Sequence, residues 1–191
     1  VWASKAFKEA AGLGNAEIIA SSKDRNYSYI PKGYAIDPHS DYFHCTSNNT
    51  IYGAQLKEFP STEVPVICDM SSDIFSRPVD IAKFDLIYAG AQKNLGPAGA
   101  TLVIVKKSAL GKSGRYIPSM LDYNTHISKE SMFNTPPVFS IYVSMLTLRW
   151  LKENGGVEAI YHKNEAKAAL LYREIDRNPL FEGTVAIEDR S

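Results

Sequence analysis

The chain has 191 residues, with 21 basic and 21 acidic side chains and a formal net charge of zero. That balance excludes a general attraction to nucleic acid or to an anionic membrane surface. A hydrophobic content of 45% beside 22% charged residues supplies a core and excludes disorder as the main state, and the length fits one domain, or one domain and part of a second.

The chain begins at Val1, inside a helical pattern: Ala3, Ala6, Phe7, Ala10 and Ala11 recur at helical spacing over residues 2–11, and Gly12 stops the run. Glu17–Ser21 is expected to be a short buried strand, and residues 22–40, rich in Tyr, Lys and Pro, to be irregular. Asp41–Thr46 alternates like a strand and is followed by the polar cluster 47–50. Val64–Cys68, Phe84–Ala89 and Ala100–Val105 are apolar runs of strand length, closed by Asp69, by residues 90–93 and by Lys106-Lys107. Continuous apolar strands predict a mostly parallel sheet covered on both faces by helices, an α/β fold. Thr135 is expected to cap a helix over Val138–Glu153, with Pro136 and Pro137 at its start, and a second helix covers 157–177 before Asn178-Pro179. The strongest apolar stretch, Val138–Leu148, is 11 residues and contains Ser140, Ser144 and Thr147. A membrane span needs about 20. Glu188-Asp189-Arg190-Ser191 follows a strand-like run, and both ends of the chain read as cuts through a larger protein.

Cys45 and Cys68 are the only cysteines, too few for a disulfide scaffold or a cysteine zinc site. They are expected to be buried free thiols, which fits a reducing, cytoplasmic setting. The four histidines show no metal-ligand spacing. His44 is expected to be a core histidine with a satisfied hydrogen bond, and His39, His126 and His162 surface residues. Lys106, Lys107 and the Lys/Glu pattern of 163–174 read as solvated faces.

In open α/β sheets ligands bind beyond the carboxyl ends of the strands. Three polar clusters fall at such ends: 47–50, 69–72 and 90–94. Lys93 sits in the last of them, with Gly90, Gly96 and Gly99 around it, and Asp69 lies 24 positions earlier. The glycines would let backbone approach a ligand closely. A lysine at the mouth of a buried sheet is placed for partial desolvation, which frees its amine for carbonyl chemistry. Read alone, the spacing favours a solvated loop lysine for Lys93 and a turn residue for Asp69. Together they are the pair a pyridoxal phosphate site needs: an amine for the aldehyde and an acid for the pyridine nitrogen.

Cys68-Asp69-Met70-Ser71-Ser72, followed by the run from Ala89 through Gln92, Lys93 and Asn94 to Gly99, resembles the phosphoserine aminotransferase family. Residues 48–53, 76–80, 131–137 and 150–156 add to the resemblance. It implies a fold-type I large domain over 1–177, incomplete at its start, and the beginning of a small C-terminal domain over 178–191. It also implies a pyridoxal 5′-phosphate enzyme that moves an amino group from L-glutamate to 3-phosphohydroxypyruvate in serine biosynthesis. Service to a related substrate of vitamin B6 synthesis is left open. By the same resemblance Lys93 is the Schiff-base lysine and proton carrier between Cα and C4′, and Asp69 pairs with the pyridine nitrogen. Trp2 stacks on the ring, Thr50 bonds near the phenolic oxygen, and Gln92 helps hold the phosphate. Asn134 and Thr135 reach the phosphate of the other subunit in a homodimer, while Ser71 and Ser72 make ordinary turn bonds. Asn49 stands where many relatives carry Glu.

The family's substrate clamps, a Gly-Arg and His-Arg set before this segment and an arginine after it, have no counterpart in the 191 residues, so the isolated chain is expected to be inactive. One alternative is another fold-type I enzyme, such as an alanine–glyoxylate aminotransferase or a cysteine desulfurase. These share the Lys–Asp pair but not both of the longer stretches. The other is a non-catalytic α/β binding module, in which Lys93 is exposed and far from Asp69.

Overall fold

The computed structural model describes residues 2–191; Val1, the first residue of the expected domain, lies outside them. Helix α1 (Trp2–Leu13) opens the chain. Strands β1 (Phe43–Thr46), β4 (Val66–Asp69), β5 (Leu86–Gly90) and β6 (Thr101–Val105) form one sheet in the order β1-β4-β5-β6. Strands β2 (Asn48–Asn49) and β3 (Ala54–Gln55) make a small antiparallel hairpin beyond the end of β1. Three α-helices follow, α2 (Tyr123–Ser128), α3 (Val138–Glu153) and α4 (Gly156–Arg177).

The expected sheet is present, with strand boundaries within two residues and α3 on its predicted bounds. β1, β4 and β5 are parallel, whereas β6 returns antiparallel to β5. Coverage differs from the expectation of two buried faces. Along β4 and β5, Val66, Cys68, Ile87 and Ala89 are buried, while Ile67, Asp69, Leu86 and Tyr88 are only half-buried. Side chains alternate across a strand. One face therefore carries the core, joined there by Met70, Ile74, Phe84, Ala91 and Leu95. The other face carries His44, Thr46, Asp69 and Tyr88, half-exposed among the described residues. Cys68 is buried on the core face and Cys45, its register partner on β1, is half-buried; both are free. A hydrogen bond in which the Cys68 thiol gives its proton to Cys45, and then burial, push the Cys68 thiol far up.

Two further expectations fail. Glu17–Ser21 is not a strand: no strand pairs with it among the described residues, and Ile18 is 55% exposed. An apolar run without a neighbour to take its N–H and C=O groups gains nothing from extended pairing. The strand-like run before Glu188 is irregular and leads into a single turn at Ile187–Asp189. That segment lies against the hairpin, where Arg190 bridges Ala54 and Ser191 N–H donates to the Gly53 carbonyl at 2.8 Å.

Helix α3 packs on the loop after β5 through its two buried residues, Ser140 and Ser144. Ser140 Oγ donates to the Ala98 carbonyl at 2.6 Å. Gly99 takes φ of +109°, a conformation that side chains disfavour, with Ser140 Oγ 3.1 Å from where a Cβ would stand. At Gly96 a Cβ would meet Ser144 Oγ at 2.6 Å and the Ser144 backbone nitrogen at 3.3 Å. These two glycines thus admit a helix rather than a ligand. Gly96→Ala is expected to lower stability by about 1–3 kcal/mol through overpacking. Denaturant unfolding should show part of that loss restored in Gly96→Ala/Ser144→Ala, where the nearest clashing atom is gone.

Candidate functional site at the carboxyl edge of the sheet

Parallel pairing brings the carboxyl ends of β1, β4 and β5 to one edge. In register, Thr46 faces Asp69 and Asp69 faces Tyr88. The three polar clusters expected at strand ends are stitched together there. Ser47 Oγ donates to the Asp69 carbonyl at 3.0 Å, Ser72 Oγ to the Asn48 carbonyl at 3.1 Å, and the Gly90 N–H to Ser71 Oγ at 3.1 Å. Asp69 Oδ1 accepts the Ser71 N–H at 2.9 Å, closing a turn just past the strand. The Ser71 N–H makes the turn bond expected of it, whereas the hydroxyls of Ser71 and Ser72 reach other loops instead.

Lys93 lies in the turn after β5. Its Nζ donates to Thr50 Oγ1 at 2.7 Å, from the loop of the β2–β3 hairpin. The same Nζ sits 5.8 Å from the centroid of the Trp2 ring at the start of α1. Lys5 Nζ covers that ring more closely, at 4.6 Å. Three residues from sequence positions far apart, Trp2, Thr50 and Lys93, therefore meet at one place. Trp2 is 43% exposed, so it is not a core aromatic. The partial burial expected of Lys93 is not found: Lys93 is exposed, as are Thr50 and Gln92. Exposure of the amine is what a plain binding module would show; its gathering with Thr50 and a tryptophan face is not.

Asn134 and Thr135 stand apart. Both are exposed, and the Asn134 amide donates to Met120 Sδ at 2.9 Å. Thr135 does not cap α3, contrary to expectation: the capping position is Pro137, with no side-chain hydrogen bond to the helix. Two consecutive prolines move the helix start past the reach of the threonine hydroxyl. His44 is half-buried and bonded to Tyr88, as expected of it; His39 and His162 are exposed and His126 is half-buried. No group of three or more potential metal ligands occurs among the described residues.

Sequence reasoning missed the network that seats the hairpin. Asp73, 6% exposed, accepts hydrogen bonds from Ser47 Oγ and, at 3.2 Å, from Gln55 Nε2. Arg77 lies 3.9 Å from Asp73 and donates to the Leu56 and Lys57 carbonyls at 2.6 and 3.0 Å. Its guanidinium also rests over the Phe59 ring. Residues 76–80 are part of the motif resemblance, but their role is visible only once folding brings Ser47 and Gln55 to them. Burial raises the Asp73 pKa, although Ser47, Arg77 and Gln55 pull it down.

Residues 2–191 match the family of class-V aminotransferases. The chain is 66% identical over 190 residues to a phosphoserine aminotransferase of Flavobacterium johnsoniae, covering all of this chain and 53% of that protein. Among solved structures, a phosphoserine aminotransferase from Bacillus circulans subsp. alkalophilus superposes with a TM-score of 0.95 at 47% identity, over all of this chain and 54% of the other. The pyridoxal-phosphate-bound enzyme from Trichomonas vaginalis does so with a TM-score of 0.94 at 34% identity, over 55% of its length. The chain thus spans about half the length of the relatives it matches.

The Asp73 network generates a prediction of its own. Asp73→Ala strands the Arg77 charge and frees Ser47 and Gln55, and is expected to cost about 3 kcal/mol in denaturant unfolding. The pH dependence has a definite sign. A carboxyl whose pKa is raised by folding binds its proton more tightly in the folded state, so its stabilising contribution is full below the unfolded pKa and is lost as pH rises through the raised one. The stability of the wild type relative to Asp73→Asn should therefore fall as pH rises through and above the ordinary carboxylate range, measured by unfolding at a series of pH values.

Proposed function

The chain belongs to the class-V aminotransferase family, and from that premise we propose that it is the cofactor-holding part of a phosphoserine aminotransferase. The reaction moves an amino group from L-glutamate to 3-phosphohydroxypyruvate, giving O-phospho-L-serine and 2-oxoglutarate in L-serine biosynthesis. Its setting is the cytoplasm; no helix among the described residues is long and apolar enough to cross a membrane. We assign residues 1–177 to the large domain and 178–191 to the start of the small one. The observation that carries the reading is the meeting of Lys93 with Thr50 and Trp2 at the sheet edge where Asp69 ends β4.

The residues at that edge fit pyridoxal 5′-phosphate. An amine, a carboxylate, a hydroxyl and a broad aromatic face are the donor set such a ring calls for. Thr46 Oγ1 and Asn48 Oδ1 are buried there without a hydrogen-bond partner. Buried polar atoms left unpaired are costly and point to a missing ligand or water. In this assignment Lys93 holds the aldehyde end, Asp69 the pyridine nitrogen, Thr50 the phenolic side, Trp2 one ring face and Gln92 the phosphate. When bound, the group supplies an electrophilic aldehyde and a protonated ring that draws electrons from the substrate's Cα. The chain's own residues do the rest. Asp69 would keep the ring nitrogen protonated, and Lys93 Nζ would carry the proton from the substrate's Cα to C4′. Trp2 presents its flat surface to keep the ring in one plane.

Asn134 and Thr135, exposed and away from Lys93, are assigned to the partner subunit's phosphate in a homodimer. The exposed apolar start of α3, where Val138 is 68% and Phe139 72% exposed, supports such a partner. With the protein at its full natural length, adding pyridoxal phosphate is expected to give the visible absorbance of a lysine-bound cofactor. Lys93→Ala should lose that band and at least about a hundredfold of transaminase turnover, the scale of a lost proton-transfer group. Retention of both the band and the turnover in Lys93→Ala would sink the assignment.

A further inference from the structure

The open face of the sheet carries a polar pair that the assignment of Lys93 and Asp69 does not use. His44 Nε2 and Tyr88 Oη are 3.0 Å apart, with ring centroids 6.0 Å apart. Tyr88 is the register partner of Asp69 on β5, and Asp69 is the partner of Thr46 on β1. Partners in a parallel pair project from the same face, and His44, two residues before Thr46, shares that face. Three adjacent strands, in the order β1, β4, β5, thus supply His44, Asp69 and Tyr88 to one patch, with the Tyr88 hydroxyl reaching His44 across the strand that carries Asp69.

The donor inventory fixes how this patch is wired. A tyrosine hydroxyl has one proton to give and lone pairs with which to accept. Burial raises the Tyr88 pKa, and the neighbouring Asp69 carboxylate adds to this by charge and by hydrogen bonding, so the phenol stays protonated. Burial lowers the His44 pKa, while the Asp69 charge acts the other way. The remaining titratable groups acting on Tyr88 are the Cys68 thiol from β4 and the Tyr123 phenol at the start of α2. With its proton on Nε2 the imidazole would donate to Tyr88 Oη, leaving the phenol proton free to turn toward Asp69, its register neighbour on β4. Since Asp69 Oδ1 already accepts the Ser71 N–H, a second donor from Tyr88 would leave the carboxylate one direction in which to face a ligand.

Resting on the reading of Asp69 as the partner of a pyridine nitrogen, we infer that Tyr88, seated by His44, is a positioning residue that sets the direction in which the Asp69 carboxylate meets its ligand. Neither residue touches the reacting atoms. Their effect passes through Asp69, and so reaches cofactor affinity and the protonation of the bound ring rather than the fold alone.

The test uses the full-length protein stripped of cofactor and titrated with pyridoxal phosphate, beside the absorbance–pH profile of the loaded protein and thermal unfolding of the stripped one. Tyr88→Phe keeps the ring and removes the hydroxyl. It is expected to weaken pyridoxal phosphate binding by about tenfold, the scale of one hydrogen bond to a charged group, and to shift the pH midpoint of the cofactor absorbance. His44→Gln, which keeps a donor near the position of Nε2, should stay close to wild type, whereas His44→Leu should behave like Tyr88→Phe. A merely structural role would lower the unfolding temperature of all three variants and leave the pH midpoint in place; that result overturns the inference. So does a Tyr88→Phe protein with unchanged affinity and midpoint. Should Tyr88→Phe fail to fold, the two His44 variants decide: equal affinities overturn the inference, and a loss confined to His44→Leu supports it. A wild type that binds no pyridoxal phosphate overturns the assignment of the site as well, which separates the two failures.

Discussion

Parallel pairing of β1 with β4, and of β4 with β5, makes all three chains leave the sheet at the same edge. Backbone N–H and C=O groups at that edge have no further strand to bond and must find partners in loops. Ser47, Ser71 and Ser72 meet that need with their hydroxyls, and in doing so lock the three loops to one another. The loops bring Thr50, Asp69 and Lys93 to one edge, and α1 brings Trp2 to Lys93. Moving β4 by one residue would send Asp69 to the core face and Cys68 to the open one. Register is therefore as much a condition of the site as any single side chain.

The edge is held in place by a buried charge. Asp73 and Arg77 span the turn after β4, and the carboxylate reaches across to Ser47 and Gln55 on the two arms of the hairpin. Taking a carboxylate out of water is costly, and the raised pKa of Asp73 records that cost. What the arrangement supplies is position. The hairpin has strands of only two residues, too short to stand alone, yet its loop must keep Thr50 against Lys93. On the far side, Gly96 and Gly99 let α3 close upon the lysine loop. The loop is thus fixed from below by the sheet and from one side by a helix, while the amine stays open.

Much of this was legible in the sequence because it rests on local chemistry. The prolines 136 and 137 before it and the Asn154-Gly155-Gly156 that follow it set α3 to the residue. Three short apolar runs and the alternating stretch 41–46 located the four sheet strands, and the polar clusters after the parallel ones located the edge. Features that depend on distant partners were not legible. Nothing in Ala100–Val105 announces that β6 runs antiparallel, since direction is a property of the pairing. Glu17–Ser21 has the composition of a strand but no neighbour to pair with. Asp73 carries no local signal, because its partners lie 18 and 26 positions away. The glycines near Lys93 suggest room for a ligand, but at Gly96 and Gly99 the group that approaches is Ser144 or Ser140 of α3.

Everything in the functional reading passes through one amine at one position, and reductive trapping reads that position directly. The full-length protein would be incubated with pyridoxal phosphate, reduced with borohydride, digested and mapped by mass spectrometry. The pyridoxyl mass is expected on the peptide containing Lys93, and to be absent from that peptide when Asp69 is replaced by alanine at limiting cofactor. Label found instead on Lys5, the other amine beside Trp2, or spread over surface lysines with Lys93 unmodified, would contradict the assignment of this edge as a cofactor site.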